Sequence, residues 1–383
     1  MRTTPIYYFI VCMLLTACHT GSQSQILKES IENRMEELVV QNGLPGMNFS
    51  MIFPDGRQID CSAGYADTAK KVLLDEDYVM FSGSIGKTYA VAVLMQLVEE
   101  GKIDLDARFI SYFPETDWLK GLTNIELITV RNLLEHTSGL PRYIEDQGVW
   151  DSLYYNPDKI WSYEDRLSFI MDKAPVHDVG KSWAYSDSNY LLIGMLIERI
   201  ADAPYYSVVR SRILESQELH QTYPSNTREI KNLPVGYSRL PPFFRMPEIV
   251  VENGKYAFNP QMEWTGGGFA STTSDLARWA RAYYTAECFS NGSLAQITTI
   301  NPNGKDIGNS MSYAMGSFVF ETDYGKMWGH TGFVPGFVSI FGFLPDQGIA
   351  LALQVNCDYA SGKKSLEQYL EDILEVSLNE GSN

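Results

Sequence analysis

The chain has 383 residues, 45% of them hydrophobic and 20% charged, which is enough apolar material for a large core in one big or two intimate domains. The formal net charge of −17 argues against nucleic acid and against an anionic membrane surface as partners. The charge leaves the fold open.

Ile6 to Leu15 is an apolar run behind Arg2, too short to span a bilayer. It leads into Leu15-Thr16-Ala17-Cys18, which resembles a bacterial lipoprotein processing site. Residues 1–17 are therefore expected to be a signal peptide. The mature protein would begin at a lipidated Cys18, lie in the cell envelope and touch the membrane through its lipid alone. An ordinary signal peptide or a short anchor is the alternative. Cys61, Cys288 and Cys357 would remain, with no metal-like spacing, and are expected to be mostly buried free thiols.

Ser24 to Gln41 has helical amphipathicity and stops at Asn42-Gly43. Met47 to Phe53 and Gln58 to Tyr65 read as strands around a Pro54-Asp55-Gly56 turn. The stretch Tyr78 to Glu100 passes from a short apolar run through small residues into a helix, with Val91, Leu94, Met95 and Val98 at helical spacing. A Pro-, Trp- and Tyr-rich, mainly helical region follows over 104–265, including a strong buried helix at Tyr190 to Ile200. After Gly266-Gly267-Gly268, a helix capped at Ser274 is expected to run to Tyr284. Strands follow at Ser317 to Phe320, Phe337 to Phe343 and Ile349 to Leu353, then a terminal helix from Lys364 to Leu378. The predicted class is α/β (α+β). Segments 24–103 and 266–380 would build one antiparallel sheet from both chain ends, flanked by helices, with 104–265 inserted.

Ser84 and Lys87 sit at the start of the central helix. Residues three apart share a helix face, so the amine can lie beside the hydroxyl. A serine needs a base to become a nucleophile, and a buried lysine can serve as one. The four-residue pattern is weak alone: Ser361 to Lys364 repeats it, where it reads as a helix cap. A phosphate-binding loop would need glycine at position 81, which is Phe81. A nucleophile elbow would need glycine at position 82, which is Ser82. An N-cap serine followed by a surface lysine stays open on these letters alone.

Read with four further motifs, the chain resembles the serine β-lactamase and penicillin-binding protein superfamily, in its class C-type branch of D-alanyl-D-alanine carboxypeptidases, class C β-lactamases and related esterases. The motifs are Ser84-Ile85-Gly86-Lys87, Leu133 to Leu140 around His136-Thr137-Ser138-Gly139, Tyr185-Ser186-Asp187, Gly266 to Asp275 and His330-Thr331-Gly332. The resemblance covers roughly residues 30 to 375. It implies that Lys87 and Tyr185 share a proton relay to Ser84, and that the Ser84 and Phe333 amides form an oxyanion hole. Thr331, Gly332 and Phe333 would line an edge that binds substrate. His330, where relatives often carry lysine, would supply a pH-dependent charge that holds a substrate carboxylate or lowers the Tyr185 pKa. Asp187 stands where class C β-lactamases usually have asparagine. An ionised aspartate only accepts, so pairing with lysine or a structural role is as open as substrate binding. His136 is expected to be structural, and Tyr143 falls near a substrate-binding glutamine of the β-lactamases.

His19, His177 and His220 show no metal pattern, and neither metal nor cofactor is expected. The implied function is an exported serine hydrolase forming an acyl-enzyme on Ser84. The first reading is a D-Ala-D-Ala carboxypeptidase-like or D-amino-acid peptide hydrolase acting on a cell-wall type peptide, with a β-lactam or a small ester as alternative substrate. A non-catalytic lipoprotein that binds or senses peptidoglycan fragments is the rival from another class.

Overall fold

The computed structural model describes residues 6–360 and 364–380, with side chains over 24–360 and 364–378. One sheet of eight strands dominates. From edge to edge it runs Val72–Leu73, Gln58–Asp67, Gly46–Ile52, Ile349–Val355, Phe337–Leu344, Gly325–Val334, Phe318–Thr322 and Met311–Tyr313. Every pairing in it is antiparallel. The two chain ends meet where Gly46–Ile52 pairs with Ile349–Val355, Phe49 opposite Leu353.

Both faces of these inner strands are buried, so they read as nearly continuous apolar runs rather than as alternating ones. Side-chain size still follows the two-residue period. Met47, Phe49, Met51, Leu351 and Leu353 point into one cluster, with Ile31, Met35 and Leu38 of the helix Ile6–Asn42 and Leu370 and Ile373 of the helix Leu366–Glu380. Ala350 and Ala352 face the other way, where small side chains let the helix Thr273–Tyr284 approach closely. Ser50 binds Thr273 across that interface at 2.8 Å. Helices Lys87–Glu99, from the first sheet-forming segment, and Asp187–Ala201, from the inserted region, lie deeper in the same cluster.

Several boundaries differ from the expectation. The first helix runs unbroken from Ile6 to Asn42 and passes through Cys18, whose side chain lies outside those described. No described helix is long and apolar enough to cross a membrane. The helix over Thr273–Tyr284 is capped by Thr272, whose hydroxyl accepts from the Asp275 amide, not by Ser274. Ser361 lies outside the described residues. Cys61 and Cys357 are buried free thiols and Cys288 is half-buried.

Candidate active site

Ser84 sits on a single 3-10 turn, Gly83–Gly86, that runs directly into the helix Lys87–Glu99. Three backbone contacts fix the turn. The Ser82 amide donates to the Phe269 carbonyl at 2.9 Å. Gly86 packs so tightly that a Cβ there would lie 1.6 Å from the Gly267 oxygen. Gly83, at φ +51°, abuts the strand Gly325–Val334, and a Cβ on it would lie 2.4 Å from the Phe333 nitrogen. Glycine is required at both positions because backbone meets backbone.

The strand Gly325–Val334 lies inside the sheet, not at its margin. Its pairing with Phe318–Thr322 nevertheless ends at Gly329, so residues 330–334 present a free edge beside the Ser84 turn. Gly332 is the close approach on that edge: a Cβ would lie 1.9 Å from the Ser82 oxygen. Thr331 is half-buried, and Phe333 is exposed and lines the cavity at Ser84.

Lys87 is fully buried, and its ammonium has three acceptors for three protons. Nζ donates to Ser84 Oγ at 2.8 Å, to Asp187 Oδ1 at 2.8 Å and to the Gly266 carbonyl. Burial favours the neutral amine. The carboxylate of Asp187, the Tyr185 phenol and their hydrogen bonds outweigh it, so the lysine pKa ends above its ordinary value. Asp187 opens the helix Asp187–Ala201, and its other oxygen receives Arg142 at 3.1 Å and 2.8 Å. Burial opposes its charge, but Lys87 and Arg142 prevail and hold its pKa well below the carboxylate range. Asp187 is thus the clamp between two cations, and as an ionised carboxylate it has no proton to donate to substrate.

Tyr185 stacks its ring under Lys87 Nζ, 4.9 Å from the ring centre, and under Arg142 at 5.3 Å. Its hydroxyl is buried without a well-formed hydrogen bond, although Lys87 and Ser84 are near enough to influence it. Burial raises its pKa, Lys87 only partly offsets this, and the phenol stays protonated. His330 departs furthest from expectation. It is buried, its Nδ1–H donates to the Thr331 carbonyl at 2.6 Å, and burial together with Lys87 drives its pKa down to about 3. It is therefore neutral at pH 7 and supplies no positive charge. The imidazole sits in an aromatic wall of Phe318, Tyr313 and Tyr185, and the pull of the Thr331 carbonyl and of Asp187 on its proton is too weak to offset burial and Lys87.

His136 is buried behind the site. Its Nδ1 accepts from the Ser186 amide at 3.2 Å and from Asn189 Nδ2 at 2.8 Å, which ties the Tyr185-Ser186-Asp187 segment in place. Burial holds its pKa well below the ordinary value. Tyr143 is buried and donates to the Met262 carbonyl at 3.1 Å. Two ionisable residues escaped sequence reasoning: Arg142 and Glu263. Both line the cavity of about 220 Å³ that opens at Ser84, with Trp150, Phe244, Phe258 and Phe333 among its walls. Each lies within three residues of a recognised motif, but nothing in the local pattern separates it from a solvated surface charge. Among the described residues, no cluster of His, Cys, Asp or Glu has a metal-holding arrangement.

Residues 29–374 match the Beta-lactamase family model. Penicillin-binding protein 4* of Bacillus subtilis is 24% identical over 326 residues, 82% of this chain and 68% of its own. The chain spans about two thirds of the length of such relatives. Among solved structures, a D-stereospecific amidohydrolase from Streptomyces sp. matches at TM-score 0.77 and 26% identity, covering 91% of this chain and 98% of that one. The D-amino acid amidase of Ochrobactrum anthropi SV3 matches at 0.79 and 24%, covering 92% and 99%.

Proposed function

The chain belongs to the beta-lactamase family and is a serine hydrolase, and we propose that it cleaves small D-aminoacyl amides or peptides through an acyl-enzyme on Ser84. The observation that carries this reading is the 2.8 Å contact between Ser84 Oγ and a fully buried Lys87 at the wall of a cavity. The reactive form is the minor one in which the Lys87–Tyr185 pair has first lost a proton to solvent; Ser84 then attacks the carbonyl carbon, and its proton fills that vacancy on the pair. The Ser84 and Phe333 amides, on a turn and a free edge held in contact, receive the oxyanion. The pair then returns a proton to the departing amine, and water releases the acyl group. Asp187 and Arg142 position Lys87, and His136 positions Tyr185.

The charges in the cavity favour an amide over a free carboxylate at the substrate's C-terminal side. Lys87 is engaged by Asp187, Arg142 by Asp187 and Glu145, and His330 is neutral. A carboxypeptidase substrate would bring a carboxylate to a site whose described cations are all committed. That weighs against the D-Ala-D-Ala carboxypeptidase reading. The solved amidases of like fold supply the reason for a D-amino acid. An ester or β-lactam uses the same machinery and remains the second reading. The cell envelope, with lipid on Cys18, is the proposed location.

The test is a turnover panel for purified protein: D-phenylalanine amide, a D-Ala-D-Ala peptide, nitrocefin and a p-nitrophenyl ester. The amide should give the highest kcat/KM of the first three. Exclusive turnover of the carboxylate peptide would refute the substrate reading.

A further inference from the structure

The floor of the Ser84 cavity holds a carboxyl that the acyl-enzyme chemistry leaves unused. Glu263 lies between the short turns Pro260–Met262 and Trp264–Gly266 and lines the cavity beside Ser84, Arg142 and Asp187. Its position is built. The fully buried Arg166 donates to the Met262 carbonyl at 2.7 Å and to the Gln261 carbonyl at 2.6 Å, holding the chain just ahead of Glu263. On the other side, Gly267 makes room for the carboxyl: a Cβ there would lie 2.3 Å from Glu263 Oε2.

None of the ion pairs among the described residues includes Glu263. The cations around it are committed elsewhere. Arg166 gives its donors to the carbonyls of Trp161, Ser162, Gln261 and Met262. Lys87 has spent all three protons on Ser84, Asp187 and Gly266. Glu263 is half-buried as a residue and lines the cavity. Burial raises its pKa to about 7, against the pull of Lys87 and the Gly268 amide. An enclosed carboxylate without a cation is a costly arrangement unless a ligand brings the cation.

We propose that Glu263 is the receptor for a protonated amine on the substrate, the α-ammonium of an N-terminally free aminoacyl amide or peptide. The proposal rests on the acyl-enzyme reading only in placing the scissile carbonyl at Ser84. The aromatic walls Trp150, Phe244 and Phe258 would then receive the side chain of the same residue. An N-acylated substrate offers no cation and leaves the carboxyl unpaired in the complex, so the site selects against it.

The test measures binding without turnover. D-phenylalanine amide and its N-acetyl derivative are titrated calorimetrically into the Ser84→Ala protein at about pH 7.5, above the raised value of Glu263 and below the ~7.7–8.0 of an α-amino group, so that the carboxylate and the ammonium are both the main forms. The free amine should bind at least about tenfold more tightly, as expected for a charge-assisted hydrogen bond. In Ser84→Ala/Glu263→Gln, which keeps the shape and removes the charge, that preference should collapse about tenfold. Equal affinities in the Ser84→Ala protein, a preference that survives Glu263→Gln, or no binding of either ligand at millimolar concentration would overturn the proposal. The preference without acylation of Ser84 in the wild type would defeat the acyl-enzyme reading and leave this one standing. Acylation without the preference would do the reverse.

Discussion

Replacing Asp187 by asparagine tests how the site is held together. In the wild type this side chain is 9% exposed and holds Lys87 at 2.8 Å and Arg142 at 3.1 Å and 2.8 Å. Breaking a buried ion pair by removing one partner costs ~3–5 kcal/mol. Asparagine can still accept from Lys87, and Arg142 is a third exposed and can regain water, so a loss of ~3 kcal/mol at the lower end is expected. The folded pKa of Asp187 is depressed. Its contribution is therefore complete above the unfolded-state pKa of ~3.9 and is lost as pH falls through the folded value. The gap between wild type and Asp187→Asn should be full at pH 7 and shrink in strong acid. The same change removes the charge that keeps Lys87 protonated, so burial should lower its pKa. In the wild type both Lys87 and Tyr185 are protonated at neutral pH, and the rate of labelling by a neutral fluorophosphonate should keep rising past about pH 9. In Asp187→Asn that rise should move to lower pH, with roughly tenfold more neutral amine for each unit of fall. Urea unfolding gives the first quantity and pH-dependent labelling the second. Superimposable pH profiles together with a stability change under about 0.5 kcal/mol would refute the reasoning.

The remaining predictions address the backbone, the second carboxyl and export. Gly86→Ala should abolish labelling or folding because of the 1.6 Å collision with Gly267, whereas Gly101→Ala, with no atom within 4 Å, should show only the strain of φ +69°; equal effects in urea unfolding would contradict the packing argument. The folded pKa of Glu263 is raised, so the wild type loses stability as pH climbs from the unfolded value of ~4.3 towards about 7. Glu263→Gln should consequently gain more in melting temperature at pH 8 than at pH 5, and an equal gain at both would count against the buried carboxyl. Cys18→Ser should release the protein from the membrane fraction or leave it unprocessed, as fractionation and N-terminal mass would show; wild type in the cytoplasm with Met1 retained would rule out lipidation.

Five of the eight strands were legible as apolar runs bounded by turn residues such as Pro54-Asp55-Gly56, and such runs occur at both chain ends; Val72–Leu73 and Met311–Tyr313 are too short to show a pattern, and Gly325–Val334 is broken by glycines and polar residues because it meets the Ser84 turn. The cap on the helix Thr273–Tyr284 was placed two residues late, since Thr272, Thr273 and Ser274 all qualify by residue type and only the bond to the Asp275 amide selects one. The spacing of Ser84 and Lys87 predicted their contact. The partners of Lys87 did not follow from spacing, because Asp187 and Gly266 come from distant parts of the chain. His330 shows the limit most clearly. Its letters say only that it can titrate, whereas its neutral state follows from burial beside Lys87 and aromatic rings, which no local pattern encodes. Arg142 and Glu263 were missed for the same reason.

The central claim is that Ser84 carries the acyl group. Intact mass spectrometry with peptide mapping, after incubation with a fluorophosphonate, should show a single adduct on Ser84 that is absent from Ser84→Ala. An adduct on another serine, or undiminished amide turnover by Ser84→Ala, would contradict it.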